Sequence, residues 1–324
     1  MKVLFATYPV AFHTPGGGEI QLLAYQKHLS AYGVDVTLFN QWEPRFLDHD
    51  IVHFFSCIGG SIHFCHFVKQ IGLPLLISAS LWITEETKHL YPIEEIRAQL
   101  LLADLVITNS DMECDTLSKV LSLPREKFVT IYNGVEEIFF DKPSPDVFRR
   151  EFGINDRFVL NVGNIEPRKN QLKLAEAIHY APEHKLVIIG HVRDADYCQQ
   201  VMKIGGDKVI YLGPLPHDSV LLRSAYQACD VFCLPSTLET PGLAALEAHA
   251  AGCRIAITEV GSTREYFSNS VVYLDPKDVV SIAQAIRDAL IFQNLGDEHD
   301  SISQSICWSS VISPLVNIYA SVSS

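Results

Sequence analysis

The features that the sequence lacks already narrow the class of protein to which it can belong. The 324-residue chain has no run of Lys and Arg, and its formal net charge is −13. We therefore expect no binding to nucleic acid and no broad attraction to anionic lipid. No stretch reaches the roughly 20 apolar residues of a membrane span. The opening MKVLFATYPV also lacks the longer apolar region of a signal peptide, and it predicts a buried strand.

None of the eight cysteines belongs to a CxxC pair. Most lie in apolar runs, where a free thiol packs as a small hydrophobe. This distribution favours a reducing, cytoplasmic location. Peripheral contact with a membrane stays open, but a transmembrane segment is not expected.

Short apolar runs alternate with amphipathic helical patterns along the whole chain. Strands are predicted at 2–7, 34–39, 51–55, 75–78, 105–108 and 128–131, and then at 158–162, 186–189, 209–212, 231–234, 254–257 and 271–274. Helices are predicted between them, for example at 18–31, 93–103 and 111–121. Such alternation builds right-handed βαβ units and a parallel sheet. The polar segment DKPSPD, at 141–146, reads as a linker, so we predict two doubly wound α/β domains, 1–145 and 146–305.

A glycine-rich turn joins the first strand to the first helix. Gly16, Gly17 and Gly18 form PGGGE with their neighbours, and such a turn lets an anion approach the backbone closely. The spacing is not GxGxxG, so the dinucleotide fingerprint is absent. A flexible connecting loop explains the same residues equally well.

Two cations follow the first strand of the second half. Arg168 and Lys169 stand in VGNIEPRKN, just after Pro167, which suits a first helical turn. Cations at a helix N-terminus oppose the helix macrodipole unless an anion lies there. The segment therefore predicts an anion site, with a solvated Arg-Lys turn as the alternative.

Two acids with seven residues between them lie in LPSTLETPGLAALEAHAAG. Glu239 is on the loop after a strand, and Glu247 is inside a helix that begins near Gly242. A carboxylate within an otherwise apolar helix needs a partner. A ribose diol is one candidate, since a carboxylate accepts two hydroxyl hydrogen bonds, and a local salt bridge is the other.

These segments resemble the retaining glycosyltransferases of family 4, which have the GT-B fold of two Rossmann-like domains facing across a cleft. The Glu239 and Glu247 pair matches the E-x7-E element, and FVLNVGNIEPRKNQLKLAEAI resembles the strand, turn and helix that carry the basic pair. IYNGVEEIFF resembles the interdomain segment, and VITNSDMECDTL a first-domain strand and helix. TPGGGEIQLLAYQKHLSAYGVDV resembles the opening loop and helix. ICWSSVISPLVNIYASV resembles the last helix, about 306–322, which packs back on the first domain.

The resemblance implies a role for each matching position. Arg168 and Lys169 meet the diphosphate of a nucleotide-sugar donor, and Glu239 contacts the donor sugar. Glu247 holds the nucleotide ribose. The remaining donor contacts come from backbone groups at Gly16, Gly17, Gly18, Gly242 and Leu243. The acceptor is then a sugar, glycan or glycolipid in glycan biosynthesis, transfer retains the anomeric configuration, and neither a metal nor another cofactor is expected.

The chain departs from the family pattern at two positions. Asn164 stands where members often have Arg, and Arg168 is a candidate replacement for that charge. Ser80 stands where a His is common, and the first domain is short. A non-catalytic nucleotide-sugar-binding protein, an epimerase and a phosphorylase therefore stay as alternatives. Donor, acceptor and linkage are not fixed by the sequence.

Overall fold

The computed structural model describes residues 1–13, 15–292 and 306–323. The chain divides into two compact units, Met1–Gly134 with Trp308–Ser324, and Val135–Cys307. The structure therefore changes unit at residue 134, earlier than the predicted boundary at 145. Val135 and Phe139 belong to the buried core of the second unit, and the Val135 N–H donates to the Ile306 carbonyl at 2.8 Å. Packing, rather than the polar segment that follows, sets the boundary.

The first unit is built on a parallel sheet of six short strands. The order is β2-β1-β3-β4-β5-β6, and the central strands are apolar on both faces because helices cover both sides. The strands are β1 Lys2–Thr7, β2 Asp35–Leu38, β3 Ile51–Phe55, β4 Leu75–Ser78, β5 Leu105–Thr108 and β6 Phe128–Thr130.

Four helices of the first unit connect these strands. They are α1 Gly17–Leu29, α2 Ile62–Gln70, α3 Ile93–Leu102 and α4 Asp111–Leu121. The start of α4 has a local cause, since the Ser110 hydroxyl accepts the Glu113 N–H at 3.0 Å and so satisfies a donor that the first turn leaves unpaired. The helices place one apolar cluster on each face of the sheet.

The second unit repeats the architecture with another six-stranded parallel sheet, in the order β12-β11-β10-β7-β8-β9. The strands are β7 Arg157–Val162, β8 His184–Ile189, β9 Val209–Tyr211, β10 Val231–Leu234, β11 Ile255–Thr258 and β12 Val272–Leu274. The longest pairing, between β7 and β8, puts Val162 opposite Ile189. The loops that follow these two strands therefore leave the sheet side by side.

Helices of the second unit cover both faces of its sheet. They are α5 Pro145–Phe152, α6 Gln171–Ala177, α7 Ala195–Gly205, α8 Val220–Ala228, α9 Leu243–Ala250, α10 Thr263–Phe267 and α11 Val279–Ile291. The predicted linker at 141–146 is wrong at its end, because Pro145 and Asp146 form the first turn of α5. The Ser144 side chain caps that turn, and Pro suits a first helical position, where no backbone donor is lost.

The chain returns to the first unit through α12 Trp308–Val311 and α13 Ser313–Val322. Trp308, Leu315 and Tyr319 are buried against α1 residues in the same apolar cluster. The Trp308 indole lies directly on Gly134, where an added Cβ would meet ring carbons at 2.6 and 2.7 Å. Only glycine therefore fits at that position. No helix in the described part of the chain is long and apolar enough to cross a bilayer.

Candidate functional site

The strand order of the second unit reverses between β7 and β10, since β8 and β9 lie on one side and β11 and β12 on the other. At such a switch point the loops after the two strands diverge and leave room for a ligand at their carboxyl ends. Lys169 is on the loop after β7, and Glu239 is on the loop after β10. The topology thus brings two predicted site residues to one edge of the sheet.

Lys169 and Glu239 form a buried ion pair at this edge. Lys169 Nζ donates to Glu239 Oε1 at 2.6 Å, and the two side chains are only 14% and 5% exposed. Arg168 Nη1 lies 3.9 Å from the same oxygen. Burial alone opposes ionisation of Glu239, but the charges of Lys169 and Arg168 outweigh it and hold the pKa of the carboxyl below its usual value. The Glu239 carboxyl is therefore ionised at neutral pH.

The cations precede the helix rather than lying on it, which corrects one step of the sequence argument. Pro167–Lys169 form a 3-10 turn, and α6 begins only at Gln171. Asn170 joins the two with a left-handed φ of +59°. The predicted conflict with the macrodipole is relieved by this turn and by the carboxylate of Glu239.

Asn170 also ties three loops together. Its side-chain amide donates to the Pro235 carbonyl at 2.9 Å and to the Pro276 carbonyl at 2.8 Å. Asn adopts the left-handed region more readily than most residues, so its place directly after the two cations was the available sequence signal. The structure shows that Asn170 fixes the Lys169 loop against the loop after β10.

Gly242 lets the N-terminus of α9 approach Glu239. Its φ is +89°, and an added Cβ would lie 2.9 Å from a Leu234 methyl carbon and 3.1 Å from Glu239 Oε2. The backbone N–H groups of the first helical turn have no partner within the helix. Gly242 and Leu243 therefore begin a helix whose positive end lies beside the ion pair.

Glu247 is bonded at both oxygens by side chains of its own unit. His217 Nε2 lies 2.8 Å from Oε1, and the Tyr226 hydroxyl donates to Oε2 at 2.7 Å. Burial would lower the pKa of His217, but the hydrogen bond and charge of Glu247 raise it above its ordinary value. Glu247 thus has local partners, as in the salt-bridge alternative that the sequence left open, and they are a histidine and a tyrosine that the motif did not reveal.

The three glycines of the opening loop lie in the first unit. Gly16 precedes α1 and donates its N–H to Glu19 Oε2 at 2.7 Å, so that donor is occupied, while Gly17 and Gly18 begin the helix. Gly18 and Glu19 line a cavity of about 200 Å³ at the carboxyl ends of β1, β3 and β4. Because the order of this sheet reverses at β1 and β3, the cavity lies at its switch point.

Ser80 lines the same cavity. Its φ is +44°, and its hydroxyl lies 3.3 Å from the amides of Gln21 and Asn109. The next residue, Leu81, donates its N–H to the buried Glu113 carboxylate at 2.8 Å. The loop that carries Ser80 is therefore held by backbone and side-chain bonds together.

Several thiols and carboxylates outside this site have structural surroundings or roles. Cys57 and Cys65 are buried, and among the described residues no group of three or more His, Cys, Asp or Glu side chains is placed to hold a metal. Asp50 accepts the Lys2 N–H, and Asp194 caps α7 by accepting the Tyr197 N–H at 2.9 Å.

Comparisons with known proteins agree with this architecture. Residues 146–303 match the family model described as glycosyl transferases group 1. The uncharacterized glycosyltransferase MJ1607 of Methanocaldococcus jannaschii is 29% identical over 66% of this chain, which spans 59% of that relative's length. Among solved structures, sucrose-phosphate synthase from Thermosynechococcus elongatus superposes with a TM-score of 0.82 at 18% identity, over 99% of both chains.

Anabaena HepE, solved in complex with UDP-glucose, superposes with a TM-score of 0.79 at 20% identity, over 99% of this chain and 100% of its own. At these identities the superpositions establish the fold, which confirms the predicted GT-B class of two Rossmann-like α/β units. The match to the glycosyl transferases group 1 family model, at residues 146–303, lies in the second unit of the chain.

Proposed function

We propose that this protein transfers a sugar from a nucleotide-sugar donor to a hydroxyl acceptor, with retention of anomeric configuration. The observation that carries the proposal is the buried Glu239 carboxylate held between Lys169 and Arg168 at the switch point of the second sheet. The UDP-glucose bound in the HepE structure supports a donor of this class.

Lys169 and Arg168 are proposed to bind the donor diphosphate. When the glycosidic bond breaks, negative charge grows on the leaving diphosphate, and fixed cations accelerate the step by binding that charge more strongly in the transition state. The N-terminus of α9, at Gly242 and Leu243, adds backbone donors of the same polarity. Lys169 is anchored by Glu239, so it enters the reaction already positioned.

The two acids are proposed to bind the sugar and the nucleoside. Glu239 contacts the donor sugar, and Glu247 contacts the ribose. A carboxylate has about four lone-pair sites, so Glu247 accepts a diol while retaining its bonds from His217 and Tyr226. These two partners fix the orientation of the carboxylate before the nucleotide arrives, and preorganisation of this kind lowers the cost of binding.

No metal is required by this arrangement, because two side-chain cations already face the leaving group. We expect the rate of transfer to be unchanged in EDTA, measured with a working donor and acceptor. Loss of turnover on chelation, with recovery on addition of Mg²⁺ or Mn²⁺, would contradict the expectation.

A thermal-shift screen with UDP, GDP, ADP and their sugars tests the donor assignment. A ligand that binds only the folded protein stabilises it by mass action, so one nucleotide series is expected to raise Tm above the others. Glu247→Ala should reduce that shift for the free nucleotide and for its sugar alike. If no nucleotide raises Tm, and calorimetry finds no binding, the proposed function is wrong.

A protein that binds the donor without transferring it is the second candidate. The Ser80 hydroxyl lies between Gln21 and Asn109, at a position where family members often carry His. Tight nucleotide-sugar binding with no product from a broad acceptor panel would favour this candidate. Sugar transferred with retention would exclude it, and product formed without acceptor would indicate an epimerase or a hydrolytic reaction.

A further inference from the structure

Two cysteines that are 24 residues apart in the sequence lie side by side in the second unit. Cys229 Sγ and Cys253 Sγ are 4.0 Å apart. Cys229 directly follows α8, and Cys253 lies between α9 and β11, so both belong to connecting segments. An S–S bond measures about 2.05 Å, and the sulfurs therefore need to approach by about 2 Å, a distance that a change of χ1 rotamer can cover.

One of the two thiols is accessible from a cavity of about 380 Å³. Both line this cavity, but Cys253 is buried whereas Cys229 is partly exposed. Arg254 is also on the cavity wall, and a nearby cation favours the thiolate, which is the nucleophilic form of cysteine. Asp230 lies there too, but it is paired with Arg157 at 3.3 Å.

The cavity lies at the opposite edge of the second sheet from the proposed donor site. Asp230 and Arg254 directly precede β10 and β11, so the cavity is at the amino ends of these strands. Lys169 and Glu239 lie at the carboxyl ends. A reagent can therefore reach Cys229 without entering the donor site.

Tyr226 connects the thiol pair to Glu247. Its carbonyl is in the last turn of α8, where carbonyls lack donors within the helix, and it accepts from Cys229 Sγ at 3.3 Å and from Cys253 Sγ at 3.1 Å. Its hydroxyl donates to Glu247 Oε2 at 2.7 Å. A disulfide has no S–H group, so oxidation removes both of these donors from a carbonyl of a buried residue, which is unfavourable.

We propose that Cys229 and Cys253 form a peroxide-responsive dithiol, and that its oxidation to a disulfide displaces Tyr226 and weakens nucleotide binding through Glu247. The formation of the disulfide is independent of the proposed function. Its effect on nucleotide binding rests on the proposed function, because it requires Glu247 to contact the nucleotide.

The oxidation takes place in two balanced steps. The Cys229 sulfur first takes one oxygen from hydrogen peroxide, which gives a sulfenic acid and water. The Cys253 sulfur then attacks the Cys229 sulfur: the S–S bond forms, the S–O bond breaks, and the hydroxyl leaves as water with the Cys253 proton. The two electrons that the sulfurs lose reduce the peroxide. A hydrogen bond with Cys229 and burial raise the pKa of Cys253, so Cys253 is the thiol that keeps its proton until the second step.

Peptide mass spectrometry on the full chain tests the bond. Protein treated with hydrogen peroxide and then alkylated is expected to yield the Cys229 and Cys253 peptides joined to each other, and dithiothreitol should release them. Cys229→Ser and Cys253→Ser each keep a hydroxyl that can donate to the Tyr226 carbonyl, but neither variant can form the bond. Cys198→Ser is the matched control, because Cys198 is a partly exposed thiol on α7 of the same unit.

Calorimetry before and after peroxide treatment tests the effect on binding, with UDP, GDP and ADP as probes. The oxidised protein is expected to bind its preferred nucleotide about tenfold more weakly, and dithiothreitol should restore the affinity. Peroxide should leave the affinity of Cys229→Ser and of Cys253→Ser unchanged, while Cys198→Ser should respond as the unaltered protein does.

Three results would overturn the inference. The first is oxidised, folded protein without joined Cys229 and Cys253 peptides. The second is a joined pair with unchanged nucleotide affinity, and the third is an equal peroxide-induced loss of affinity in the two serine variants, which would assign the effect to oxidation elsewhere. If the reduced protein binds no nucleotide, it is the proposed function that fails, and the joined peptides still decide whether the dithiol exists.

Discussion

The Glu239 carboxylate should contribute far more to stability than an equally well-formed ion pair on the surface. Glu239→Gln keeps the shape of the side chain and removes its charge, so it leaves Lys169 and Arg168 facing each other with no anion between them. Losing one partner of a buried pair typically costs about 3–5 kcal/mol. We expect roughly 3 kcal/mol here, since the amide oxygen still accepts from Lys169.

Glu259→Gln is the matched control in the same unit. Glu259 pairs with Arg264 at 3.0 Å, but the two side chains are 49% and 56% exposed. Exposed pairs contribute at most about 1 kcal/mol and often nothing measurable. The same chemical change should therefore shift the free energy of unfolding by less than ~1 kcal/mol at this site.

The pH dependence of the free energy of unfolding gives an independent check that the Glu239 charge stabilises the fold. The folded-state pKa of Glu239 is lowered, so its contribution is complete above the unfolded pKa of about 4.3 and is lost as pH falls through the folded value. The difference between wild type and Glu239→Gln should be largest near pH 7 and should shrink below pH 4.

Urea denaturation monitored by far-UV circular dichroism is the suitable assay, because it reports both units. Tryptophan fluorescence would not serve, since Trp42, Trp82 and Trp308 all lie in the first unit. Equal destabilisation by the two substitutions would refute the reasoning. So would a Glu239→Gln protein as stable as wild type, because burial of the pair would then carry no energetic weight.

Three further predictions concern other parts of the molecule. Lys169→Ala should lower kcat by about 10²–10³-fold, a larger factor than its effect on nucleoside-monophosphate binding. Lys169→Arg should recover only part of the rate. If Lys169→Ala turns over at the wild-type rate, the leaving-group role moves to Arg168. Glu247→Gln should lower the pKa of His217, measured by NMR titration, because the charge and hydrogen bond of Glu247 are what raise it; an unchanged pKa would contradict that cause. Gly134→Ala should destabilise the first unit by roughly 1–3 kcal/mol through overpacking against Trp308. Unfolding monitored by tryptophan fluorescence measures this loss. A stability equal to wild type would show that the indole moves aside freely.

The fold was predictable because the strands of a doubly wound sheet appear in the sequence as short, continuous apolar runs that alternate with helices. The strand at 231–234, for instance, is fully buried on both faces. A short, continuous apolar run is the pattern expected of such a strand. Exact ends were harder to assign. The unit boundary was placed too late because DKPSPD looks like a linker, while the decisive features are the burial of Phe139 and the bond from Val135.

The candidate site was predictable only where residues cluster along the chain. Lys169 and Glu239 lie in recognisable motifs, and parallel-sheet topology alone brings them together. His217 and Tyr226 come from another loop and another helix, and each acts through a contact far away in sequence. A single sequence carries no signal that pairs His217 with Glu247, so these partners required the structure.

The return of the chain to its first unit has a consequence for biosynthesis. Domains fold as the chain leaves the ribosome, usually in order from the N-terminus. Here the first unit lacks Trp308 and the α12 and α13 helices until the second unit has been made, because the second unit is continuous and precedes them in the chain. During synthesis Gly134 and the α1 face therefore stay uncovered while the second sheet is already complete. We expect nascent chains stalled shortly before Trp308 to resist proteolysis in the second unit and to be cut in the first.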